Sequence, residues 1–71
     1  MKEVNKEKMQ EAEETIVRLE EQKIDVLDEY FDALHSGDEK KQRALKKKWV
    51  KLCHSVHDWY VVYRLVRQGE L

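Results

Sequence analysis

Only one position inside this chain is suited to breaking a helix. Proline is absent, and the two glycines are Gly37, at the middle, and Gly69, near the end. His35-Ser36-Gly37-Asp38 is the sole interior turn signal. Glycine there can take the left-handed conformation that closes a helix, and the aspartate after it can cap the next one. Seventy-one residues, 41% of them charged, with one interior breaker point to long helices rather than sheet or disorder. The expected elements are a helix over about residues 4–35, a turn at 36–38 and a second helix over about 39–68. Each would be roughly 45–50 Å long. Asn5 is available to cap the first. In the second, Arg67 places positive charge in the last turn, where the helix dipole favours it, and Gly69 stops the helix.

The apolar spacing supports both helices. Leu45, Trp49, Leu52, Val56, Trp59, Tyr63 and Val66 recur at alternating intervals of four and three, the signature of a heptad seam. In the first helix Met9, Ala12, Ile16, Leu19, Lys23, Val26 and Tyr30 do the same. Lys23 is the polar member, either setting register or reaching out to Glu20 or solvent. A second stripe, Val17, Ile24, Leu27, Phe31 and Leu34, widens the apolar face toward the turn. A face that broad contacts more than one neighbouring helix.

The short turn makes the helices antiparallel neighbours, with residue i near residue 73 − i. Charge is split between them. Residues 1–36 hold 5 basic and 11 acidic side chains, and residues 37–71 hold 9 basic and 4 acidic ones. The net charge of −1 therefore conceals an acidic helix beside a basic one, with Asp32 falling near Lys41 and Asp25 near Lys48. Such pairs are individually weak but select partner and register.

The pairing leaves a surplus. Residues 59–66 fall opposite 7–14, where Met9 and Ala12 are the apolar partners, so Tyr60, Val61, Val62 and Leu65 are poorly matched. An unmatched apolar patch marks a protein interface. A chain this small with one cysteine, Cys53, has no intrachain disulfide to stabilise it, and oligomerisation is another staple. The expectation is a single all-α domain over 1–71, an antiparallel two-helix hairpin associating into a dimeric four-helix bundle. Trp59, Tyr60, Val61, Val62, Tyr63 and Leu65 form the expected interface, to a second copy or another protein partner.

Other chemistries are poorly served. Cys53 and His57 lie one helical turn apart, as do His54 and Asp58. The two pairs point about 100° apart and cannot close one tetrahedral zinc site, so no metal or other cofactor is expected. Cys53 with His57 has no oxyanion hole, because a continuous helix uses its amides internally. The chain is read as non-enzymatic. No apolar run reaches the roughly 18–20 residues that span a membrane. With residues 1–25 strongly charged and the thiol unpaired, the expected location is cytoplasmic. The alternative reading is a nucleic-acid-binding regulator. Lys40, Arg43, Lys47 and Lys51 align on the outward face of the second helix, spaced to follow a phosphate backbone.

Leu52-Cys53-His54-Ser55-Val56-His57-Asp58 resembles a segment in the second helix of Rop, the plasmid copy-number regulator. That resemblance implies a hairpin that dimerises into a four-helix bundle. Rop binds paired RNA hairpins through its first helix; the acidic first helix here departs from that pattern, so RNA binding is not carried over. The hairpin with Ser36-Gly37-Asp38-Glu39-Lys40 at its turn also resembles small type III secretion co-chaperones, which cover a partner's apolar surface. Both resemblances imply a small regulator, adaptor or chaperone-like subunit acting through helix–helix contacts.

Overall fold

The computed structural model describes residues 4–70, so residues 1–3 and 71 of the expected 1–71 domain lie outside the described residues. It consists of two helices, α1 (Lys6–Ser36) and α2 (Glu39–Arg67), packed against each other as a hairpin. The ends fall within two residues of the expected ones, for reasons visible in the caps. Asn5 has extended backbone geometry, and its side chain accepts a hydrogen bond from the Lys8 amide at 3.1 Å, so it stands before the helix rather than in it. Gly37 takes φ 75°, and two amides close the end of α1: Gly37 donates to the Leu34 carbonyl and Asp38 to that of Ala33. That is the paired arrangement a left-handed glycine permits. The carboxylate of Asp38 then accepts from the Lys41 amide at 3.0 Å and starts α2. Gly69, at φ 77°, repeats the glycine closure: its amide reaches Val66 and the Glu70 amide reaches Leu65.

One side chain ties the turn together. Gln42 of α2 donates at 3.1 Å to the Ala33 carbonyl in the last turn of α1, which also accepts from the Asp38 amide. Farther along, the register follows the expected pairing. The Lys23 ammonium lies 5.5 Å from the centre of the Trp49 ring and 3.8 Å from a Glu20 oxygen. Lys23 is thus a seam residue whose head leaves the seam for an acid one turn back and whose charge rests on an aromatic face.

The core lies along the predicted seams, with Ala33 added to them, Trp49 left 37% exposed and Met9, Leu19, Tyr30, Leu52, Trp59 and Tyr63 half-buried. Ala12, Ile16, Val26 and Ala33 of α1 are buried with Leu45, Val56 and Val66 of α2. Val26, Ala33 and Leu45 form one cluster with Tyr30 and Leu52 against it. Thr15, an unexpected member, is buried beside Ile16 because its hydroxyl finds a partner in the Glu11 carbonyl at 2.7 Å. The cross-helix charge pairs are looser than the sequence suggests. Asp25 and Lys48 border one shallow cleft with Gln22, Val26 and Glu29. Among the described residues no ion pair between α1 and α2 closes within 4.0 Å. Side chains this exposed gain little from fixing one geometry.

The result is a thin slab, 56 × 14 × 10 Å in its principal extents. Its radius of gyration is 16.1 Å, where a compact domain of this length would have about 11 Å. Two helices can bury one seam each; nothing in the hairpin covers their remaining sides.

Candidate interaction surface

The second stripe of α1 is the first seam displaced by one residue. Val17 follows Ile16, Ile24 follows Lys23, Leu27 follows Val26, Phe31 follows Tyr30 and Leu34 follows Ala33. Each step along a helix turns about 100°, so the stripe faces sideways from the seam. All five residues are exposed: Ile24 at 59% and Val17 at 56% are the most open, with Phe31 at 50%. Phe31 sets its ring obliquely against Tyr30, centroids 6.4 Å apart.

On α2 the same one-residue displacement gives Arg43, Lys46, Val50, Cys53, His57, Tyr60 and Arg64. Because the helices run antiparallel, this row turns to the same side of the slab as the α1 stripe. The clefts mark the two sides. Leu27 and Lys46 line one groove with Val26, Tyr30, Leu45 and Trp49, which is almost wholly apolar. On the other side Gln22, Asp25 and Glu29 meet Lys48. The hairpin therefore has one apolar face and, along its turn-proximal half, one charged face.

The expected interface residues divide between these surroundings. Tyr60 is 50% exposed and lies in the row that shares the apolar face, whereas Val61, 44% exposed, points outward from α2. Trp59, Val62, Tyr63 and Leu65 are half-buried by the hairpin itself. The surplus of apolar surface is thus not confined to the carboxyl end: its larger share runs along α1. The stripe is legible in the sequence, but its exposure depends on which side of each seam the partner helix fails to cover.

The basic row Lys40, Arg43, Lys47 and Lys51 is exposed throughout, on the edge of α2 turned from α1. Lys46 is exposed too, and Arg43, Lys46, Lys47 and Lys51 surround Val50 in a shallow depression. Trp49 is 37% exposed, with the Lys23 ammonium 5.5 Å from its ring centre. Cys53 is half-buried, and His54 and His57 are exposed. Among the described residues no group of three or more His, Cys, Asp or Glu side chains is placed to hold a metal ion. Among the same residues no helix is long and apolar enough to cross a membrane. Compared with protein-family models, curated proteins and solved structures, the chain matches none.

Proposed function

We propose that this chain is a non-enzymatic interaction module that works by helix–helix contact through its apolar face, self-associating as a dimeric four-helix bundle in the cytoplasm. The observation that carries this reading is the exposed apolar stripe of Val17, Ile24, Leu27, Phe31 and Leu34, broken on its row by Glu20. A row of this kind at heptad spacing is a surface built for another helix. Area supports a second copy as the occupant. The chain exposes 5875 Å², against about 4,700 Å² for a compact folded monomer of 8.6 kDa. The excess is about 1,200 Å² per chain. Two copies hiding that much would bury an area in the range of stable homodimers, about 2,000 Å² or more in total.

Thermal unfolding over a hundredfold range of protein concentration tests this. A folded dimer in equilibrium with unfolded chains has a melting temperature that rises with concentration. The expected result is such a rise for the natural chain, abolished by I24E together with F31E. A concentration-independent midpoint for the natural chain overturns self-association.

A second reading, as a nucleic-acid-binding regulator, draws on one observation. Lys40, Arg43, Lys47 and Lys51 are exposed on one edge and, among the described residues, outside any ion pair within 4.0 Å. Phosphate binding through them would fall steeply with salt. Retardation of a duplex at low salt, lost on charge reversal at Lys47 and Lys51, would favour this reading over a purely protein-directed one.

A further inference from the structure

We infer that the second copy lies face to face on the first with both turns at the same end, so that α1 of each copy rests on α2 of the other. This rests on the self-association proposed above and specifies its geometry. Two face-to-face arrangements are open to a pair of identical hairpins. With the turns together, α1 stacks on the other copy's α2. With the turns at opposite ends, α1 stacks on α1 and α2 on α2. In both, stacked helices run antiparallel, so helix direction does not choose between them.

The distribution of side chains along the face does. Its apolar members cluster in the turn-proximal half, where Ile24, Leu27, Phe31 and Leu34 stand beside Trp49 and Val50. Its open half carries Val17 and Tyr60 among the polar Gln10, Glu13 and mid-helix Glu20 of α1 and Arg64 of α2. The hairpin's own register puts residue 23 over residue 49 and residue 42 beside residue 33. Stacking with the turns together repeats that register between copies. Ile24 then meets Val50 of the second copy, and Phe31 meets the aliphatic stems of its Arg43 and Lys46. Glu13 and Glu20 come within about a turn of Arg64 and His57 of the second copy. Ile24 and Val50 cover each other, Leu27 and Phe31 lie on the stems of basic side chains, and an acidic helix covers a basic one.

Turning one copy end for end reverses every match. At full overlap Phe31 falls on Glu13, Leu34 on Gln10 and Arg43 on Arg64. Sliding the copies until Ile24 meets Leu27 restores the α1 contact but carries Tyr60 beyond the overlap. It also gathers Arg43, Lys46 and Lys47 of both copies at the centre. Like charges brought together in this way select against an arrangement. The turns-together bundle is the one that covers the whole face without them.

Distances between spin labels decide the matter. A single cysteine replaces Lys40 beside the turn, or Lys8 at the open end, in a C53S background; both natural side chains are exposed. Helical circular dichroism confirms each labelled chain is folded. With the turns together, both labelled pairs lie across the bundle at about 30 Å or less, given neighbouring axes about 8–10 Å apart. With the turns apart at full overlap, both pairs are separated by about a helix length, roughly 45 Å. Sliding the copies until Ile24 meets Leu27 draws the Lys40 pair together and sends the Lys8 pair farther apart. Short distances at both sites, weakening of the dimer by added salt, and an unchanged dimer in V61E are the expected results. A long distance at the Lys8 site, whatever the Lys40 distance, overturns this geometry while leaving self-association intact. A folded chain showing no intermolecular distance overturns both.

Discussion

Gly37 is the residue on which the topology turns. At φ 75° it occupies a conformation that side chains rarely adopt, yet a Cβ placed on it would meet nothing within 4 Å. Gly37→Ala should therefore destabilise by about 1 kcal/mol through backbone strain alone, as read by urea unfolding at fixed protein concentration. A much larger loss would point to a packing role. Asp38 beside it makes a separable contribution. Removing the carboxylate that receives the Lys41 amide, in Asp38→Ala, should cost about 1 kcal/mol. Both roles are legible in the sequence, because capping chemistry is local and needs nothing beyond four or five residues. Lys23 is different. Its place in the seam follows from spacing and Glu20 from proximity, but its position over Trp49 requires the two helices to be laid side by side.

Between elements, the seams and the stripe make opposite demands. Leu45 is buried within one hairpin, so Leu45→Ala should cost about 2–4 kcal/mol whatever the oligomeric state. Ile24 is 59% exposed in the hairpin, and in a lone subunit Ile24→Ala should fall within about 0.5 kcal/mol of neutral. If a second copy covers it, the same substitution should cost about 2 kcal/mol or more. Urea midpoints for the two variants at one concentration separate these cases. The seams could be read from sequence because heptad spacing fixes which residues share a line. Thr15 escaped because a buried hydroxyl bonded to its own helix, to the Glu11 carbonyl, leaves no pattern. The weight of the exposed face escaped for a related reason. Spacing identifies the line through Val17, Ile24, Leu27, Phe31 and Leu34, but exposure is a property of the assembled pair. At the carboxyl end Tyr60 and Val61 are exposed and Val62 and Leu65 half-buried.

As a whole molecule, the chain is a slab 10 Å thick in its smallest extent, with a seam too narrow to enclose much. Val66 is its one large side chain with less than 2% exposure among the described residues. Small domains with so slight a core are usually held by something further. We propose a second copy on the apolar face as that support, docked by the division into an acidic and a basic helix. Molar mass by light scattering across a dilution series tests this central claim most directly. A folded species of twice 8.6 kDa is expected at high concentration, with mass and helicity lost together on dilution. I24E combined with F31E should abolish the larger species. A natural chain that remains a folded subunit of 8.6 kDa at every concentration would contradict that claim.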